Sequence, residues 1–284
     1  MDVKRRIGVH TSIAGGLHLS MERARELGCN TIQIFSHNPR GWKIKRKDTE
    51  EISLFIETRR KYGISPAFIH TSYLINLASG NPSLAARSVD MLLQELNIAD
   101  SVGAEYVVLH TGSASGEDPA VARKRAIKCL KEIAGSGAWQ AGLLLENTAG
   151  ERGDITSKIN EISEIMEKVP ERLISGICLD TCHAFSAGYD IGADDGIQLL
   201  SDEIKKHIGR DKVRLLHLND AKGVLGSGLD RHEHIGQGKI GLRGFKHFIN
   251  HKFFSDIPII LETPKKFPDD DLKNLEIVRK LIRK

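Results

Sequence analysis

Short runs rich in Val, Ile and Leu recur along the chain, each followed by a longer amphipathic stretch. The runs fall at residues 7–10, 31–35, 67–70, 106–110, 143–146, 176–180, 213–217 and 257–262. Their near-continuous apolar character marks strands covered on both faces. Between them, apolar residues at helical spacing with Gly or Pro stops predict helices over 20–27, 49–62, 83–101, 118–133, 157–167, 195–207 and 242–250. Strands that alternate with helices pair in parallel. The longest Gly- and Ser-containing stretches, 112–116 and 223–228, sit where strand-to-helix loops belong, so one domain over residues 1–284 is expected. The rhythm breaks once, in a long polar segment over 220–241, and connections of that length inside a compact domain are usually functional.

Eight strand–helix units predict an α/β fold of the (β/α)8 (TIM) barrel type, with a doubly wound open sheet as the alternative. One pattern separates the two. Six runs end in residues able to bind a metal: His70, His110, Glu146, Asp180, His217 and Glu262. Each shares a face with an apolar residue two positions back, namely Phe68, Val108, Leu144, Cys178, Leu215 and Ile260. In a closed barrel these columns point inward and their tops converge at the C-terminal rim, where barrel enzymes keep their active sites. An open sheet spreads them along a line.

One histidine at a strand end is most often a hydrogen-bond anchor. Three histidines and three carboxylates converging on one rim are different, because the buried like charges stay uncompensated unless cations sit among them. Two loop motifs add donors: Asp180-Thr-Cys-His183, and Asp230-Arg-His232, whose i and i+2 side chains can chelate one ion. Mixed imidazole and carboxylate donors suit Zn²⁺, with Mn²⁺ or Fe²⁺ as lesser choices.

The composition, 40% hydrophobic and 27% charged, is of ordinary globular type. No run approaches the roughly 18 apolar residues of a membrane span, and no signal-peptide core follows Met-Asp-Val-Lys-Arg-Arg, so a soluble cytoplasmic protein is expected. Cys29, Cys129, Cys178 and Cys182 form no Cys-x-x-Cys pair, which suits a reducing compartment. The formal charge of +4 is too mild to argue for a nucleic-acid partner, and it counts twelve histidines as neutral.

Longer motifs sharpen this reading. Gly8-Val-His-Thr-Ser-Ile-Ala-Gly-Gly16, His70-Thr-Ser-Tyr-Leu-Ile-Asn-Leu77, His110-Thr-Gly112, Glu146-Asn-Thr-Ala-Gly150, Cys178-Leu-Asp-Thr-Cys-His-Ala-Phe185, His217-Leu-Asn-Asp-Ala-Lys222, Asp230-Arg-His232 and Leu261-Glu-Thr263 follow one another in order. In these motifs the chain resembles the endonuclease IV family, the trinuclear-zinc apurinic/apyrimidinic (AP) endonucleases, over essentially its whole length. The resemblance implies one zinc on His70, His110 and Glu146, and a second on Glu146, Asp180, His217 and Glu262. A third would take His183, Asp230 and His232, with Mn²⁺ an alternative at one site. Small departures, Thr71 where the family often has Asp and Gln237 where an acidic residue is common, touch no expected ligand.

The implied activity is hydrolysis of the DNA backbone 5′ to an abasic site, leaving a 3′-hydroxyl and a 5′-deoxyribose phosphate, with trimming of blocked 3′ ends, in base excision repair. Glu146 is then the catalytic bridging carboxylate that orients the attacking hydroxide. The implied partner is double-stranded DNA carrying abasic sites or blocked 3′ ends, and the family habit is monomeric. Residues matching Arg40, Tyr73 and Leu74 enter the duplex in the family, and unstacking costs least where a base is already missing. Trp42, Lys43, Lys45 and Arg46 in the same basic loop, and Lys222, Lys265 and Lys266 on other rim loops, are further candidate DNA contacts. His10 and His234 are expected to support ligands or touch phosphate. A metal-dependent sugar isomerase or epimerase on a related barrel is the competing enzyme class, and a damage-binding protein without catalysis is a third. Three Zn²⁺ would add six positive charges at one rim, and neutrality becomes a requirement for the five ligand histidines.

Overall fold

A computed structural model describes residues 5–151 and 153–282. Eight parallel strands form its centre: β1 (Ile7–Val9), β2 (Ile32–Phe35), β3 (Ala67–His70), β4 (Tyr106–Leu109), β5 (Gly142–Glu146), β6 (Ile174–Asp180), β7 (Val213–His217) and, after a short antiparallel pair β8 (Asp220–Ala221) and β9 (His232–Glu233), the last barrel strand β10 (Ile259–Leu261). The sheet runs β1-β10-β7-β6-β5-β4-β3-β2. Its two edges meet through a parallel bridge between His10 and Gln33, with Thr11 N donating to Gln33 O at 2.8 Å. The expected barrel is therefore the observed one.

Around it lie α1 (Leu17–Glu26), α2 (Thr49–Tyr62), α3 (Pro82–Val102), α4 (Pro119–Ser136), α5 (Ile159–Lys168), α6 (Thr181–Ser186), α7 (Asp194–His207), α8 (Gly241–Asn250) and α9 (Asp270–Leu281). Local signals account for their ends. Asp48 caps α2 by accepting from Glu51 N, and Asn81 caps α3 ahead of Pro82 at its first turn. Both helices stop at glycines, Gly63 and Gly103, whose φ values of 63° and 66° are costly for any residue with a Cβ. The apolar pattern does not single out α6 or α9. It places α1 three residues late and begins the sixth strand two residues late.

Two apolar layers result. The larger fills the space between sheet and helices. The smaller is Phe68, Val108, Leu144, Cys178, Leu215 and Ile260, all fully buried inside the barrel. These are the six residues that the period of two turns inward, so the strand-end donors stand directly above this plug. Among the described residues, no helix is long and apolar enough to cross a membrane.

Candidate metal centre

Strand register brings the six strand-end donors together. Glu146 pairs with Cys178 across β5 and β6, Asp180 with His217 across β6 and β7, and His217 with Ile260 across β7 and β10. His110 and Glu262 lie one residue beyond β4 and β10. The loop donors arrive by two devices. Asp180 caps α6, its Oδ1 accepting from His183 N at 2.8 Å, which turns the first helical residues over the rim. Asp220 gathers the N–H groups of Gly236, Gly238 and Ile240 at 2.9–3.0 Å, and the β8–β9 pair then holds Asp230 and His232 over the barrel mouth.

The nine expected ligands fall into three sets whose donor atoms lie within 4.8 Å of one another: His70, His110 and Glu146; Glu146, Asp180, His217 and Glu262; His183, Asp230 and His232. Glu146 belongs to two of them. Its Oε2 lies 3.4 Å from His70 Nε2 and 3.1 Å from His110 Nε2, while Oε1 lies 3.0 Å from His217 Nδ1. Two further groupings include Cys178 and Cys182, but burial pushes both thiols up to about 12 and leaves them poor ligands.

The imidazoles are held in the form a cation requires. His70, His183 and His232 each place Nδ1 at 2.8–3.0 Å from a backbone carbonyl, of Thr71, Asn147 and Glu262 respectively. A carbonyl only accepts, so Nδ1 carries the proton and Nε2 points inward with its lone pair. His217 is anchored the other way round, Nε2 donating to Gln33 Oε1 at 2.7 Å, which turns Nδ1 toward Glu146 and Glu262. His232 Nε2 and Glu146 Oε2 are buried polar atoms without a hydrogen-bond partner. Such orphans are costly, and a cation in each of their two donor sets would satisfy them.

Without a cation the charges lean on one another. Burial alone raises the pKa of Glu146, yet His217 and His110 overcome it and hold the carboxyl well below the usual range. Glu262 is lowered in the same way by His217, His10 and His70. Burial disfavours protonation of His183 and His217, but Asp180, Asp230 and Glu146 around the first, and Glu146 and Glu262 around the second, hold both well above the ordinary value. The neutral Cys178 beside His217 adds no charge. His10 behaves oppositely, burial lowering it below the usual range.

A profile of the family described as a xylose isomerase-like TIM barrel matches residues 21–283. A protein named "Probable endonuclease 4" from Persephonella marina is 41% identical over 279 residues, covering 98% of this chain and 97% of the relative. Its namesake from Halothermothrix orenii is 42% identical over 278 residues, covering 98% and 99%. The crystal structure of endonuclease IV from Thermus thermophilus superposes with a TM-score of 0.85 at 37% identity, covering 97% of this chain and 98% of that one. The chain belongs to the endonuclease IV family. A D-tagatose 3-epimerase-like protein, at 20% identity and a TM-score of 0.71, shares the barrel alone.

For a member of the endonuclease IV family, the surface around the centre also bears on function. The centre opens into a cavity of about 420 Å³ lined by His10, Phe35, Tyr73, Arg231 and Lys265 and by six of the nine expected ligands, His70, His110, His183, Asp230, His232 and Glu262. Tyr73 is 65% exposed, standing edge-on to Phe35 at 5.2 Å, and Arg40 is exposed on the neighbouring loop with Leu74 half-buried beside them. Lys43, Lys45 and Arg46 are exposed. Trp42 is turned back onto the core instead, its ring under the Arg87 guanidinium at 4.1 Å. Lys222 faces Glu233 at 3.7 Å, Lys265 bonds His10 O and Asp271, and Lys266 is exposed. His234 lies against Asn274 at 2.9 Å, outside the cavity lining.

Sequence reasoning passes over Gln33 and Arg231. Gln33 is fully buried on β2 and touches three rim residues, and its signal was a polar side chain inside an apolar strand. Arg231 sits between two of the expected ligands and presents a cation to the cavity, and its signal was its place in Asp-Arg-His.

Proposed function

We propose that the chain is a metal-dependent endonuclease that hydrolyses the DNA phosphodiester 5′ to an abasic site, leaving a 3′-hydroxyl and a 5′-deoxyribose phosphate, and that trims blocked 3′ ends in the same cavity. The observation that carries this reading is a single carboxylate, Glu146, shared by two donor sets with a third set beside them. We assign three zinc ions to these sets, with manganese an alternative at one, because imidazole and carboxylate donors in small closed sets suit zinc. Bound there, the ions supply a nucleophile at neutral pH and neutralise charge that develops on the phosphate.

The chain's own residues do the rest. Glu146 offers Oε2 to the His70 and His110 side and Oε1 to His217, so it would hold ions in the two sets at a fixed separation. Gln33, Asn147 and Asn219 hold Glu262, His183 and Asp180 in place by hydrogen bonds, which preserves ligand geometry as substrate arrives. Arg231 faces the cavity and meets an incoming phosphate. Arg40, Tyr73 and Leu74 enter the duplex where a base is missing, and the base-free sugar swings into the cavity. Double-stranded DNA is the partner, and one chain suffices for the site.

A sugar epimerase on the shared barrel is the rival, and nothing in its task calls for His183, Asp230 and His232 together. Elemental analysis of the purified protein, run beside duplex cleavage and ketohexose turnover, separates the two. The expected result is three divalent ions per chain, one for each donor set, with cleavage and no sugar turnover. One or two ions with sugar turnover replaces the reading.

A further inference from the structure

Glu95 is a carboxylic acid with no exposed surface, and the metal centre does not use it. It lies on the inner face of α3 with Leu92, Leu96 and Ala99. Burying a carboxyl group among apolar neighbours is costly unless it is bonded, so its partners show what it does. Oε1 accepts from the backbone N–H of Ser72 at 3.1 Å and lies 3.4 Å from His37 Nδ1.

Each partner belongs to a different loop at the rim. His37 opens the loop after β2 that carries Arg40, and Ser72 immediately precedes Tyr73 and Leu74 in the loop after β3. The two loops are also tied to each other: Ser72 Oγ donates to Pro39 O at 2.8 Å and accepts from Leu74 N at 3.2 Å. Ser36 Oγ lies 2.9 Å from His37 Nδ1. One buried side chain thus stands under the junction of both segments that carry the DNA-entering residues.

We propose that Glu95 is a positioning residue for abasic-site selectivity, fixing the two loops as one unit so that Arg40, Tyr73 and Leu74 enter the duplex in register. The inference rests on the DNA-entering role given to those three residues above. A wedge discriminates a missing base only if it is held rigid, because a loose loop must be ordered at the moment of binding and tolerates more than one geometry. Glu95 acts at a distance from the reacting atoms, since His70, two residues before Ser72, has its own anchor at Thr71 O. Burial also pushes the Glu95 carboxyl up to about 8, so near neutral pH it is an uncharged acid whose nearest mimic is glutamine.

The test compares metal-loaded wild type, Glu95→Ala, Glu95→Gln and an Arg40→Ala/Tyr73→Ala double variant on two substrates. One is a duplex with a single tetrahydrofuran abasic analogue; the other is bis(4-nitrophenyl) phosphate, which tests the centre without the loops. Glu95→Ala is expected to lower kcat/KM on the duplex about tenfold or more, as small misplacements of positioning groups do, with small-diester turnover and bound metal unchanged. Glu95→Gln keeps an acceptor for Ser72 N–H and is expected to restore the duplex rate to within about threefold. Should Glu95→Ala not fold, Ser72→Ala, which removes the Oγ bonds to Pro39 O and Leu74 N but keeps the Ser72 N–H for Glu95, is expected to show the same split between substrates. Undiminished duplex cutting by the alanine variants overturns the proposal, as does an equal loss on both substrates. Undiminished cutting by the double variant instead removes the role on which the proposal stands, and overturns it for that separate reason.

Discussion

Gln33 Nε2 donates to Glu262 Oε1 at 2.6 Å across the seam where the barrel closes. An ionised carboxylate only accepts, so the amide nitrogen must face Glu262, and Gln33 Oε1 is left to accept from His217 Nε2. One side chain therefore orients two proposed ligands of the same donor set. Gln33→Leu keeps the volume and removes both bonds. Elemental analysis and duplex cleavage are expected to show partial loss of one ion per chain and a fall in kcat/KM of about 10- to 100-fold, the usual cost of removing such support. Full metal content with full activity contradicts this role for Gln33.

Stripping the metal should make stability fall as pH rises. In the ion-free chain His110, His183 and His217 have raised pKa values, so the stability their imidazolium forms contribute is present below about 6.5 and lost as pH rises through the raised values. In the loaded chain these rings are already neutral. The difference in Tm between loaded and chelator-treated protein is therefore expected to widen from pH 6 to pH 8. A gap that narrows over that range contradicts the charge assignment.

Tyr73 is exposed above the cavity, its ring standing against those of Phe35 and His70 below. Replacing it with Ala removes a stacking surface worth about 1–3 kcal/mol per base contact and little folded-state packing. Binding of the abasic duplex in a gel-shift assay is expected to weaken about tenfold, while binding of intact duplex changes far less. Equal weakening on both would assign Tyr73 to general backbone affinity.

Glu95 supplies a pH signature of its own in folding. Its pKa is raised from 4.5 to about 8 by burial, so the folded chain holds a proton that the unfolded chain releases. Stability from that proton is present below pH 4.5 and lost as pH rises through 8. Glu95→Gln carries no such proton. Denaturant unfolding is expected to show the variant gaining on wild type between pH 5 and pH 8.5, by up to about 4 kcal/mol. A pH-independent difference contradicts the neutral buried acid.

The six inward columns were legible because two simple rules, alternation along a strand and a polar residue at its end, act on the same residues. The interior plug of Phe68, Val108, Leu144, Cys178, Leu215 and Ile260 is what those rules demand. Gln33 was not legible, since its importance depends on β2 closing against β1, and no pattern in one strand reveals its partner across a seam. Glu95 lies at helical spacing from Leu92 and Ala99, which placed it on the buried stripe; a charged residue there is easily taken for the edge of the solvent face. Trp42 shows the opposite limit: an aromatic ring in a basic run marks a DNA contact only if the loop turns it outward, and here Arg87 covers it.

The Glu146-linked donor sets are proposed to cut DNA at abasic sites. Incubating metal-loaded protein with an end-labelled duplex carrying one abasic analogue, and mapping the product on a sequencing gel, tests this most directly. One cut is expected immediately 5′ to the analogue with an extendable 3′-hydroxyl, lost on chelation and lost in Glu146→Gln. Intact strands, or cleavage that persists in Glu146→Gln, would contradict this role.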